Sequence, residues 1–195
     1  MDPRVTEFHC IMPIANAASV MEHGILSHER AARLDHRSVA MPEIQERRDQ
    51  KHVPGGLRLH QYANLYFHAR NPMMYKRLGE VDQLCVLRIS LDIRGEPGVV
   101  FADCNASSDY VRFLDPTQWS LLNFDDIYAM DWRHPSEPVR YRQHKSRKCA
   151  EVLVPHRVEA ARLLGAYVVN AAAAELLAET GFQLPITVNP VLFFR

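Results

Sequence analysis

One acidic residue, Glu151, stands inside the apolar run CAEVLVP, and whatever fold this chain adopts has to place it. Read as a strand, the run alternates. Cys149, Glu151 and Leu153 share one face, and Ala150, Val152 and Val154 share the other. Both faces are otherwise apolar, so the carboxylate is expected in a partly desolvated place, where an unpaired charge is costly. Either an arginine pairs with it and the pair is structural, or the carboxylate is kept for chemistry. In the second case its removal is expected to cost little stability.

The rest of the chain mixes helix and strand periods. Ile14 to Ile25 reads as a short amphipathic helix closed by Gly24, with His9 just before it, and HERAARL as another helical piece. Pro42 opens a helix over PEIQERRDQ that stops before VPGG. Asn64 to Phe67 is predicted as a strand, MMYKRL as helical, and QLCVLRISLDI and VVFAD as strands. Asn105 to Pro138 is loop-rich, with helical pieces near Trp119 and Tyr128. SRKCAEVLVP is a strand, the stretch from His156 to Gly181 is helical with an interruption at Tyr167 to Asn170, and ITVNPVLFF is a last strand. This order is α+β rather than a βαβ alternation, and no internal linker divides it, so residues 1–195 are expected to form a single domain.

Lysine and arginine total 23, equal to aspartate and glutamate, so bulk charge points to no nucleic-acid partner. The distribution is less even. Arg133, Arg140, Arg142, Lys145, Arg147 and Lys148 stand against one acid, Glu137, in a stripe able to meet phosphates or simply to form a solvated loop or hairpin. Cys10, Cys85, Cys104 and Cys149 are scattered without a CxxC pair, which argues against a metal site or disulfide framework. MDPRVTEFHC has no apolar signal core, and Ala171 to Ala178 is too short for a bilayer, so a cytoplasmic protein without membrane contact is expected. P-loop, GxGxxG and HExxH signatures are absent.

Five segments, in order, resemble the DarT family of DNA ADP-ribosyltransferase toxins: IMPIANAASVMEHGILS, RSVAMPEIQERR followed by VPGG, LHQYANLYFHARNPMMY, NFDDIYAMDW and SRKCAEVLVP. The resemblance implies the ADP-ribosyltransferase fold, two small β-sheets with flanking helices that form a cleft for NAD as substrate, with no metal. It implies single-stranded DNA as acceptor and a cognate antitoxin that removes ADP-ribose from DNA. Glu151 then matches the family's catalytic glutamate, which stabilises the oxocarbenium-like sugar formed as nicotinamide leaves.

By the same resemblance Arg48 is the catalytic arginine, with adjacent Arg47 as its rival and otherwise a DNA contact. His9, Asn16, Tyr66, Arg70 and Met74 match positions that hold NAD. Arg140, Arg142, Lys145, Arg147 and Lys148 are the expected DNA-binding stripe. The chain departs from many relatives, which carry a Thr-His pair where it has Met12-Pro13. The wording NLYFHARNPMMY points to the guanine-modifying branch, with the thymine-modifying branch second. Two alternatives stand beside this reading: a transferase for RNA, protein or water (an NAD glycohydrolase), and a non-catalytic nucleic-acid-binding module.

Overall fold

In the computed structural model the described residues are 2–39 and 41–195; Met1, and Ala40 inside RSVAMPEIQERR, lie outside them. The strands are β1 (Phe8–Pro13), β2 (Ile25–Leu26), β3 (Tyr62–Tyr66), β4 (Leu84–Ile89), β5 (Val100–Ala102), β6 (Phe113–Leu114), β7 (Glu151–Pro155), β8 (Arg157–Val158), β9 (Leu163–Val168) and β10 (Ile186–Val188). The helices are α1 (Ala17–His23), α2 (His28–Ala31), α3 (Pro42–Asp49), α4 (Pro72–Tyr75), α5 (Phe124–Tyr128), α6 (Pro138–Arg147) and α7 (Ala171–Glu179). Eight strands form one sheet in the order β10-β9-β4-β1-β3-β7-β5-β6, and β2 and β8 form a separate pair.

The expected two small sheets are present in a fused form. β1 pairs with β4 from Phe8↔Ile89 to Pro13↔Leu84, and β3 pairs with β7 from Tyr62↔Pro155 to Tyr66↔Glu151. Between β1 and β3 the register holds a single pair, His9↔Tyr66. Beyond it the strands part, leaving Cys10 to Pro13 on one side and Tyr62 to Leu65 on the other without mutual pairing. Phe8, Phe67 and Phe101 meet edge to face beneath this joint, with centroids 5.1 to 6.1 Å apart, so one aromatic core underlies both halves.

Local chemistry explains most elements. Gly24 ends α1 at φ 77°, and a Cβ there would lie 2.1 Å from the Val158 carbonyl oxygen, so the chain turns into the β2–β8 pair only through glycine. Pro42 and Pro138 sit in the first turns of α3 and α6, where a missing N–H costs nothing.

Several expectations change. His9 lies within β1 rather than before a helix, because FHCIMP is buried on both faces of a central strand. The stretch read as helical after His156 instead contains β8 and β9; Leu163–Val168 lies between β4 and β10, and tertiary pairing overrides the alanine-rich context. The last strand ends at Val188 and a 3-10 turn (Pro190–Phe193) follows. The stripe read as a loop or hairpin is α6, and β7 begins only at Glu151, so Cys149 precedes the strand. No helix among the described residues is long and apolar enough to cross a membrane.

Candidate active site

Where β1 and β3 part, a cleft of about 1350 Å³ opens. Cys10 to Pro13 line it from β1, Tyr62, Asn64 and Tyr66 from β3, Glu151 from β7, and Arg47 and Arg48 from α3. Alternation decides the β3 contribution: Tyr62, Asn64 and Tyr66 face the cleft, while Ala63, Leu65 and the following Phe67 enter the core. The Tyr66↔Glu151 register puts both side chains on one face as direct neighbours.

Glu151 is 1% exposed and doubly held. Its Oε1 accepts from the Ala106 backbone N–H at 2.9 Å, and its Oε2 from Arg48 Nη1 at 2.9 Å. The arginine partner foreseen for a structural glutamate therefore exists, and it is Arg48, not Arg47. On α3, Arg48 points inward and is buried, whereas Arg47 lies exposed at the rim. The pair is incomplete as a closed structural unit: Arg48 Nη2 is buried without a hydrogen-bond partner. A guanidinium N–H left unpaired beside an open cleft is an unusual cost that a bound acceptor would remove. Burial, reinforced by the neighbouring Glu151 charge, pushes the Tyr66 phenol well above its ordinary value, so it stays a neutral hydroxyl against the ion pair. Alanine at this position would leave both Arg48 and the Ala106 N–H unsatisfied, which argues against the expectation that Glu151 is removable at little cost.

The remaining candidates separate into three groups. Asn16 lines the cleft and holds its roof, donating Nδ2–H to the Arg37 carbonyl at 2.8 Å and accepting the Arg37 N–H at 3.1 Å. His9 is not among the lining residues: Nε2 lies 3.1 Å from Glu7 and Nδ1 accepts the Ala69 N–H at 3.2 Å, so the ring pins the joint. Arg70 and Met74 also miss the cleft. Arg70 stacks 4.0 Å from the Phe194 ring and donates to the Val191 carbonyl, and Met74 is fully buried core, while neighbouring Met73 lines the cleft.

The basic stripe divides in the same way. Arg142, Lys145 and Arg147 line the cleft rim; Arg140 is exposed and paired with Glu137, and Arg147 is paired with Asp126. Lys148 leaves the stripe altogether. It is 1% exposed, and its Nζ donates to the Ile127 carbonyl at 2.6 Å and lies 3.0 Å from His68 Nδ1. Burial brings its ammonium down to about 7. Sequence reasoning missed Ala106, whose backbone donor has no side-chain signal, and Gln45, which lines the cleft one helical turn before Arg48 and was legible as its i−3 neighbour.

Over residues 8–194 the chain matches the family model described as "DarT: ssDNA thymidine ADP-ribosyltransferase, DarT". It is 27% identical to a DNA ADP-ribosyl transferase-DNA ADP-ribosyl glycohydrolase fusion protein of Thermosipho africanus (strain H17ap60334), over 100% of the chain and 51% of that protein. The chain thus spans about half the length of that relative. It is 29% identical to a DNA ADP-ribosyl transferase of Thermus sp. (strain 2.9), over 78% of the chain and 76% of the relative. Its fold is similar to that of Thermus sp. 2.9 DarT in complex with ADP-ribosylated ssDNA, with a TM-score of 0.85 at 23% identity, over 98% of the chain and 97% of that structure.

Proposed function

From the premise that the chain belongs to the DarT family, we propose that it transfers ADP-ribose from NAD to a base of single-stranded DNA. The observation that carries this reading is the buried Glu151–Arg48 pair at the cleft, with Arg48 Nη2 unpartnered. The cleft, at about 1350 Å³, is larger than the usual pocket for one small molecule and suits a dinucleotide plus an acceptor base.

In the reaction the bond between the nicotinamide nitrogen and the ribose C1 breaks, and its electrons leave with nicotinamide. Positive charge then develops on the sugar, next to which a fixed carboxylate is worth most. Glu151 supplies that charge, and Arg48 and the Ala106 N–H hold it in one orientation. A base nitrogen forms the new bond to C1 and loses one proton, which Glu151 or solvent accepts. Tyr66 and Asn16 are the NAD-side contacts of this reading, while His9, Arg70 and Met74 are not among the lining residues.

Single-stranded DNA is preferred because extracting a paired base costs a few kcal/mol. Arg47, Arg142, Lys145 and Arg147 at the rim meet its phosphates, so binding weakens with salt. The acceptor is guanine, with thymine, the base in the family model's description, as its rival. Of the segment that favours guanine, Asn64, Tyr66, Pro72 and Met73 reach the cleft, so the preference rests on few side chains. The modification would block replication, and the fusion to a glycohydrolase in the Thermosipho africanus relative supports a partner that removes ADP-ribose from DNA.

Labelled NAD offered with single-stranded DNA, duplex DNA, RNA and protein tests the proposal. Label on single-stranded DNA is expected. Label on RNA or protein alone, or only free ADP-ribose, would replace it with one of the other acceptors.

A further inference from the structure

Among the described residues, four buried side-chain polar atoms have no hydrogen-bond partner: Gln45 Oε1, Arg48 Nη2, His60 Nε2 and Arg70 Nε. Two of the four belong to residues that line the cleft, and both are on α3. Gln45 and Arg48 are one turn apart, so their side chains emerge from the same helix face about 5–6 Å apart at Cβ. One atom accepts a hydrogen bond and the other donates one. Arg48 Nη1 is already committed to Glu151, which leaves Nη2 for a ligand.

We infer that Gln45 and Arg48 form an acceptor–donor pair that reads the O6 and N1–H of a guanine held in the cleft, which leaves the exocyclic N2 amine free to attack. The inference rests on the proposed transfer to DNA and names the base-reading residue of that site.

The chemistry of the four bases selects among them. A guanine presents a carbonyl oxygen beside a ring N–H, the complement of an arginine donor beside a glutamine acceptor. Adenine and cytosine present an amine beside an unprotonated ring nitrogen, and they satisfy the pair only with that amine bonded to Gln45 and the ring nitrogen accepting from Arg48, which uses up their one exocyclic nitrogen. Thymine has the matching carbonyl and ring N–H, but that ring nitrogen is its only N–H. Held against Gln45, it would be turned away from the sugar it must attack. Guanine alone is read on two atoms and keeps a third, nucleophilic nitrogen that can bond to C1 and release a proton. Enzymes that act on an unpaired base commonly read its pairing edge in this way, and a site built around buried polar groups rejects ligands that leave them unpaired.

The test uses single-stranded oligonucleotides that each carry one type of target base, with the adduct position mapped by mass spectrometry and NAD kinetics followed in parallel. The wild-type chain is expected to modify guanine at N2. Gln45→Leu is expected to lower kcat/KM for the guanine oligonucleotide about tenfold or more with little change in KM for NAD, and Gln45→Glu, which keeps an acceptor, to recover most of it. Gln45→Met preserves volume without the carbonyl and gives the same reading if the leucine variant fails to fold. An adduct on thymine, adenine or cytosine overturns the inference and leaves the DNA transferase reading standing. An unchanged kcat/KM in Gln45→Leu, or a KM for NAD that rises in step with the loss, also overturns it, the latter by assigning Gln45 to the dinucleotide. Absence of transfer to any DNA by the wild type removes both readings.

Discussion

Lys148 and Glu151 stand three residues apart, each 1% exposed, and the fold treats their charges in opposite ways. Glu151 faces a full opposite charge and a backbone donor, at the edge of a cleft. Lys148 turns to the other side of the chain and meets neutral groups, the Ile127 carbonyl and His68, whose imidazole burial and then the Lys148 charge bring down to about 3. At Lys148, burial wins and the ammonium falls to about 7. A buried charge given a counter-charge and an unpartnered donor is arranged to act on something else. One given only neutral partners is arranged to pack.

The contrast breaks most visibly at Arg48. Arg48→Leu strands the Glu151 carboxylate, and chemical denaturation should show a loss of about 3–5 kcal/mol. A loss within about 0.5 kcal/mol would mean that the pair is not held as described. Glu151→Gln removes the charge and keeps one of the two acceptor oxygens, so either Arg48 or the Ala106 N–H then faces the amide NH2. Transfer should fall by about a hundredfold or more, with a cooperative melting curve at a lowered midpoint. Near-wild-type transfer by this folded variant would end the electrostatic role.

On the other side of the comparison, Lys148→Met should behave as a packing change with a pH signature. The folded-state value is depressed to about 7 from 10.5, so between those limits the unfolded chain binds the extra proton. Wild-type stability from this group therefore rises with pH, by at most about 1.4 kcal/mol per unit from pH 7 toward 10.5, and is absent below 7. The stability difference between wild type and Lys148→Met, measured from pH 6 to 9, should be flat at the acid end and move in favour of the wild type above pH 7. A difference independent of pH would show that Lys148 stays charged. The smallest effect belongs to the exposed stripe. Arg142 and Lys145 changed together to Gln should leave stability within about 0.5 kcal/mol and make the salt dependence of single-stranded DNA binding shallower by about 1.4 in log–log slope. An unchanged slope would place the DNA elsewhere.

Glu151 was legible because a lone acid in an apolar strand has few explanations, and α3 was legible from Pro42 and the breaker at VPGG. The choice of Arg48 over Arg47 was not, since adjacent residues on a helix differ by about 100° and only the docking of α3 decides which turns inward. Lys148 was misplaced because a run of cations looks uniform, although the last of them follows the helix into a turn that leads to the core. β9 was missed for a related reason. LLGAYV is followed by AAAAELL, and the helix propensity of the second masked a strand whose stability comes from pairing with β4 and β10. Arg70 and Met74 shared a motif with Tyr66 but not its face: the chain leaves β3 after Tyr66, so alternation no longer governs where they point.

The single-pair joint at His9↔Tyr66 sets the mechanical character of the molecule. A ladder six pairs long, such as β1 with β4, ties its strands far more firmly than one pair, which here is backed by the Phe8, Phe67 and Phe101 rings beneath it. The backbone connection between the halves is therefore thinnest along one line, with the cleft at its open edge. His9, bonded to Glu7 on one side and to the Ala69 amide on the other, is the side-chain clasp that reinforces this single pair.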